Sequence, residues 1–140
     1  EETLPFWKEL WYPKTDIQKR SGRLLAGFNR SIITNDDIEV TFFGAEVDDK
    51  IVGVNSGYSP NDFSYRSRGL FVLPEYRHKG IAQRLLKATE ENANKNCLFM
   101  LWSMPRITAL KTYLNFGFVR ISDFFDGEYG QNCFVVKGLL

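Results

Sequence analysis

The stretch Leu70-Phe71-Val72-Leu73-Pro74-Glu75-Tyr76-Arg77-His78-Lys79-Gly80-Ile81-Ala82-Gln83 decides the fold. Its first four residues are an unbroken apolar run of the kind found in strands covered on both faces. Pro74 then removes a ladder donor and stops the strand. Beyond it the periodicity becomes helical: Ile81, Ala82, Leu85, Leu86 and Thr89 share one face, and Asn92, Asn94 and Asn96 bring the helix to an end. A strand that turns through glycine into a helix has a chemical consequence. The first N–H groups of the helix lack partners and lie at the positive end of its dipole, so they favour an anion such as phosphate. Gly80 lets that phosphate approach the backbone, and Arg77 and Lys79 add positive charge at the same place. His78, the only histidine, is read as a loop residue whose backbone N–H matters more than its ring, because a metal role would need partners that are absent.

Working outward, residues 40–47 and 51–58 are rich in β-branched and aromatic residues and are separated by the short polar Asp48-Asp49-Lys50, which predicts a β-hairpin. Residues 65–73 form the central strand, and 97–102 the next buried one. Pro105 opens a further helix through Ala109, Leu110, Tyr113 and Leu114, which stops at Gly117, a good left-handed terminator. Strands near 118–121 and 133–136 close the chain. At the other end, Thr3 as N-cap, Pro5 in the first turn, and Phe6, Trp7, Leu10 and Trp11 at helical spacing predict a helix over 4–11. A weaker helical pattern runs over 17–28, interrupted by Gly22 and Gly27. Position 1 is glutamate, and an opening strand ahead of it is a further expectation. The fold class is α/β (α+β), a mixed, mostly antiparallel sheet flanked by helices.

The totals narrow the function. A chain of 140 residues has the size of one domain. Its 18 basic residues nearly cancel its 17 acidic ones without any dense run, so no nucleic-acid footprint is expected. The longest apolar run, 97–102, falls far short of the roughly 20 residues that cross a bilayer, so no membrane partner is expected either. The start of the chain has no secretion-signal pattern, and the two cysteines, Cys97 and Cys133, lack metal-site spacing. They read as small buried hydrophobes in strands, with reduced thiols and a cytoplasmic location as the default.

A second motif accompanies the first. Ala109-Leu110-Lys111-Thr112-Tyr113-Leu114-Asn115-Phe116-Gly117-Phe118 carries a tyrosine on a helix, four residues ahead of a glycine-aromatic exit. Together the two segments resemble the GNAT acetyltransferases, whose cofactor motif reads Val-x-Pro-x-x-(Arg/Gln)-x-x-Gly-x-(Gly/Ala) and whose later helix reads Ala-x-x-x-Tyr-x-x-x-Gly-Phe. The resemblance covers residues 40–136 and implies the GNAT acyl-CoA N-acyltransferase fold for that core. Residues 1–39 would then be a helical segment on the substrate side, and 1–140 a single GNAT domain.

The resemblance further implies acetyl-CoA as co-substrate, with transfer of its acetyl group to a primary amine of a small-molecule or peptide acceptor. Backbone groups of Leu70, Phe71 and Val72 would pair with the pantetheine arm as an added strand does. Arg77, His78, Lys79, Gly80, Ile81, Ala82 and Gln83 would hold the pyrophosphate. Tyr113 would protonate the departing thiolate, the competing reading being a core aromatic. Family members often pair, so a homodimer is also implied.

Three positions depart from the pattern. Arg106 replaces the asparagine that commonly stands seven residues before the tyrosine. Ala82 replaces the last glycine of the phosphate loop, at little cost. No carboxylate stands out as general base, although an amine of pKa about 10.4 needs roughly 4 to 5 kcal/mol to deprotonate at neutral pH. Glu46, Asp123, Asp126 and Glu128 are candidates, each also readable as a surface carboxylate, and an acceptor of low pKa would need none. The aromatics Phe6, Trp7, Trp11 and Tyr12 could line an acceptor pocket or form core, and residues 123–129 read as a solvated loop. The alternative to an enzyme is a catalytically silent module that binds acyl-CoA.

Overall fold

A computed structural model describes the backbone of residues 26–33 and the whole of residues 38–127 and 130–139. The helix expected over 4–11, the aromatics Phe6, Trp7, Trp11 and Tyr12, and Glu128 lie outside the described residues. The helical pattern expected over 17–28 is overturned where it can be followed. Residues 26–28 open a strand, β1 (Ala26–Ile33), which pairs antiparallel with β2 (Glu39–Val47) along its whole length. Gly27 had already marked that pattern as a poor helix, and the ladder to β2 satisfies the backbone instead.

The expected hairpin is β2 and β3 (Lys50–Tyr58), closed by Asp48 and Asp49 at φ 50° and 66°. Two consecutive left-handed residues twist the turn to match its strands, and aspartate tolerates that conformation. The central strand is β4 (Ser64–Val72), followed by a short 3-10 turn over Pro74–Tyr76 and helix α1 (Ile81–Lys95). Then come β5 (Met100–Ser103), a 3-10 turn over Ile107–Ala109, helix α2 (Leu110–Phe116) and β6 (Val119–Arg120). The segment read as a loop is in part a small hairpin, β7 (Phe125–Gly127) with β8 (Gly130–Asn132), and β9 (Val135–Gly138) follows it. Among the described residues the main sheet has seven strands in the order β1-β2-β3-β4-β5-β9-β6, antiparallel except where β4 meets β5.

One rung crosses that sheet from edge to edge: Ser31, Thr41, Gly57, Ser67, Ser103, Val135 and Arg120 are successive partners. It is also where β4 and β5 part. Their pairing covers residues 64–67 against 100–103 and goes no further. Immediately beyond, the β3–β4 register shifts between Val54 and Ser56, and Gly69 takes φ 83°. A left-handed glycine is the residue that a bulge of this kind requires, and the bulge bends β4 away. On the other side β5 runs into Met104 and Pro105, and proline cannot continue a ladder. The result is a strand whose second half has, among the described residues, a neighbouring strand on one side only.

Both helices pack on one face of the sheet. Phe43, Val52, Val72, Leu73, Ile81 and Leu85 form one buried cluster; Tyr65, Leu86, Leu101, Tyr113, Phe118, Cys133 and Val135 form the other. A Cβ on Gly53 would come within 2.9 Å of Ile81 Cγ2, so the missing side chain lets the start of α1 lie close over β3 and beside the end of β4. Two expectations need correction. Leu70 and Phe71 are half-buried rather than covered on both faces, because the pairing of β4 with β5 ends at Ser67 and leaves that side of the strand open to the cleft. Cys97 is exposed in the turn after α1 at φ 60°, not buried in a strand, since β5 begins only at Met100.

Candidate functional site

Where β4 and β5 separate, the protein has a cleft of about 880 Å³. One wall is the free half of β4 and the loop that leads into α1: Leu70, Phe71, Val72, Arg77, His78, Gly80, Ile81, Ala82 and Gln83 all line it. Of the residues singled out from the sequence, Lys79 and Tyr113 do not. The opposite wall comes from the segment entering α2, with Arg106, Thr108, Ala109, Thr112 and Asn115. The threonines and the asparagine escaped the sequence reading, although Thr108, Thr112 and Asn115 are spaced four and three apart, as one helical face requires.

Along the strand wall, Leu73 N donates to Val52 O on β3 at 2.8 Å. Strand alternation therefore turns the backbone of Leu70 and Val72 toward the cleft and that of Phe71 toward β3. Arg77 Nε donates to Val72 O at 2.8 Å while its guanidinium lies over the Phe71 ring, 5.5 Å from the centroid, which fixes a cation at the strand's end.

The loop then takes two left-handed residues, His78 at φ 62° and Gly80 at φ 83°, the latter capping α1 without a side-chain bond. The first backbone bond across the start of α1 is Arg84 N to Gly80 O at 3.1 Å. The N–H groups of residues 78–83 are thus left without backbone partners among the described residues, a concave row of donors suited to an anion. No Cβ contact would occur within 4 Å of Gly80, so the space in front of it is open. Gln83 reaches the other way: its Nε2 donates to Thr112 O at 3.1 Å and ties α1 to α2 across the cleft.

Arg106 is half-buried, and its side chain makes no hydrogen bond or ion pair among the described residues. Its backbone is held by a bridge to Asn132, whose Nδ2 donates to Met104 O at 2.8 Å, so the β7–β8 hairpin buttresses this wall. Among the described residues, Arg77, His78 and Arg106 line the cleft and no carboxylate does, a distribution that draws in an anionic ligand.

Tyr113 lies beneath this cleft, 2% exposed, with Phe118 edge-on to its ring at 5.0 Å. Its hydroxyl is 3.1 Å from Ser67 Oγ, on the last rung that β4 and β5 share. Burial raises its pKa above the ordinary 10.0, opposed by the hydroxyls of Ser103 and Ser67 and by the charge of Arg66. The phenol therefore keeps its proton throughout the neutral range. The base candidates lie elsewhere. Glu46 is buried on β2 but stands five residues past Thr41, about 17 Å along the strand from the Ser67 rung. Asp123 and Asp126 are exposed and outside the cleft lining. Among the described residues no cluster of histidine, cysteine or carboxylates could hold a metal, and no helix is long and apolar enough to cross a membrane.

The acetyltransferase (GNAT) domain profile matches residues 39–120. The chain belongs to the GNAT family. Solved structures share its fold. An acetyltransferase of the GNAT family from Staphylococcus aureus Mu50 is 22% identical, with 72% of this chain and 69% of that one covered at a TM-score of 0.62. A GNAT family acetyltransferase from Elizabethkingia anophelis with acetyl-CoA bound is 12% identical, with 81% and 98% covered at 0.64. An aminoglycoside 6'-N-acetyltransferase complexed with coenzyme A is 12% identical, with 71% and 72% covered at 0.62. None of the curated proteins matches the sequence. The mixed, mostly antiparallel sheet flanked by helices is the GNAT fold, as the two motifs implied.

Proposed function

We propose that this GNAT protein acts as a single domain that transfers the acetyl group of acetyl-CoA to a primary amine of a small molecule or peptide, by direct attack of the amine on the thioester. The observation that carries the reading is that two unsatisfied backbone rows, the free edge of β4 and the N–H groups of residues 78–83, face one cationic cleft. They suit the two parts of an acyl-CoA: an amide-bearing arm that can add to a strand edge and a diphosphate that needs donors. Two of the similar structures carry acetyl-CoA or coenzyme A, which supports the same assignment here.

Bound acetyl-CoA supplies an activated acyl carbon, and the protein's part is placement and proton transfer. Leu70 and Val72 hold the arm through their backbone; Arg77 and the amides of residues 78–83 hold the diphosphate; Arg106 adds charge from the opposite wall. The Tyr113 phenol, kept protonated by burial, delivers its proton to the departing thiolate. No carboxylate among the described residues lines the cleft, which suits an acceptor amine that carries a low pKa or loses its proton through water. Cys97 and Cys133 are both free thiols, which suits a reducing, cytoplasmic setting.

Thiol release from acetyl-CoA in the presence of a panel of primary amines tests the reading. Turnover with at least one amine, and a kcat about 100-fold lower for Tyr113→Phe, is expected. A Tyr113→Phe protein that matches the parent ends the acid assignment. A second reading, a silent acyl-CoA-binding module, draws on Tyr113 being absent from the cleft lining; coenzyme A binding by calorimetry with no thiol release to any amine or to water favours it.

A further inference from the structure

A phenol buried this deeply is a reluctant acid, because giving up its proton leaves a charge where water cannot reach. Its neighbours address that difficulty. Ser67 Oγ lies 3.1 Å from Tyr113 Oη and 2.9 Å from Asn55 Nδ2; the same Nδ2 is 2.8 Å from Thr89 Oγ1, and Thr89 Oγ1 is 2.8 Å from Leu85 O. Asn55, Ser67 and Thr89 are each 0% exposed.

The direction of every hydrogen in this chain can be worked out from its far end. Leu85 O is a carbonyl and only accepts, so Thr89 donates to it. Thr89 must then accept from Asn55, which fixes the amide nitrogen, not the oxygen, at this corner. That nitrogen also faces Ser67, so Ser67 accepts from it as well. The Ser67 hydrogen has one destination left among the described residues, the Tyr113 oxygen, and pointing it elsewhere would leave a buried donor unmade. Ser103, the other hydroxyl beside the phenol, directs its hydrogen to Ser67 O at 2.6 Å, so donation to Oη rests with Ser67.

We infer that Ser67 is a positioning residue for the acid step: held by Asn55 and Thr89, it donates to Tyr113 Oη, which leaves the phenol hydrogen for the departing thiolate and stabilises the phenolate that remains. This rests on the proposed function. In the step itself the amine nitrogen bonds to the acyl carbon, the C–S electron pair goes to sulfur, the Tyr113 O–H bond breaks as S–H forms, and the phenolate regains the proton that the nitrogen sheds.

The polarity can be tested without turnover. In ligand-free protein carrying 3-fluorotyrosine, whose phenol ionises at lower pH, 19F NMR follows the titration of Tyr113 in the parent and in Ser67→Ala. If Ser67 donates, its loss moves the ionisation to higher pH; if Ser67 accepted the phenol hydrogen, its loss would move it lower, and that result overturns the inference. The other groups around the phenol, Arg66 and Tyr65 on β4, Cys133, and the Glu90–Lys137 pair across α1 and β9, are the same in both proteins.

Thiol release from acetyl-CoA, to an amine or to water, gives the second measurement. Ser67→Ala should lower kcat about tenfold with KM for acetyl-CoA within twofold of the parent, and Ser67→Thr, which keeps the hydroxyl, should retain most of the rate. In a Tyr113→Phe background Ser67→Ala should cost nothing further. An unchanged kcat in Ser67→Ala beside an impaired Tyr113→Phe overturns this inference alone; a parent-like Tyr113→Phe, or no thiol release by the parent, overturns the proposed function and the inference with it.

Discussion

The two halves of β4 do opposite things, and the more apolar half is the more open one. Residues 64–67 have neighbours on both sides; Tyr65 and Ser67 are buried against the helices, and their backbone is used up in the sheet. Residues 68–72 keep only β3, and Leu70 and Phe71 line the cleft half-buried. The difference comes from one left-handed glycine on β4 and one proline after β5. Binding capacity here is backbone that the fold declines to satisfy, and it lies directly beside backbone that the fold satisfies fully.

The sharpest way to break the comparison is on the open side. Gly80→Glu puts a side chain at φ +83° in front of the free amides and adds a carboxylate where an anion is expected. Coenzyme A affinity measured by calorimetry should fall about 100-fold or more, combining left-handed strain of roughly 1 to 2 kcal/mol with charge repulsion. The same strain should lower stability in denaturant by no more than about 1 to 2 kcal/mol. On the closed side, Gly57 stands opposite Ser67, and a Cβ there would come within 2.3 Å of the Tyr65 ring. Gly57→Ala should cost about 2 kcal/mol of stability in urea unfolding, as overpacking does, while the protein that remains folded binds coenzyme A normally. Equal loss of binding in both variants would erase the distinction between the halves.

Two smaller effects sharpen it. Arg106→Ala, on the wall that faces the open half, should weaken coenzyme A by about tenfold and reduce the salt dependence of binding. The closed half should show itself at alkaline pH. Tyr65 and Tyr113 both have pKa values raised above 10.0, burial being the largest cause in each. The folded state then holds protons that the unfolded state releases, so stability is intact below pH 10 and falls as pH rises toward the folded values. Melting temperatures across that window should decline, and Tyr65→Phe or Tyr113→Phe should flatten the decline.

Much of this was legible in the sequence. The hairpin, the central strand, the Gly80 turn and the helix ending at Gly117 follow from local rules that the structure does not override. Nine of the ten residues expected to hold the cofactor face the cleft, because a loop's own backbone builds that wall. Lys79, the exception, shows that a charge near a site need not point into it. What could not be read depends on neighbours distant in sequence. The strand at 26–33 exists because β2 offers it a ladder, and nothing in its own pattern announces that. The half-exposure of Leu70 and Phe71 needs β5 to stop where it does. The opposite wall was hidden because Thr108, Thr112 and Asn115 belong to a face whose partner lies across a gap. The Ser67–Asn55–Thr89 chain joins three elements through residues that singly look like ordinary strand and helix polar groups.

The rung running from Ser31 to Arg120 makes the sheet a gauge with a spacing of one residue. Were β4 to slip by a single position against its neighbours, either Arg66 or Arg68 would stand where Ser67 does, and every residue that now faces the helices would face away from them. An insertion or deletion in the turns bounding β4 is therefore a different kind of lesion from a substitution: a sheet of the same strands could still form around it, with a guanidinium delivered to the place that needs a hydroxyl.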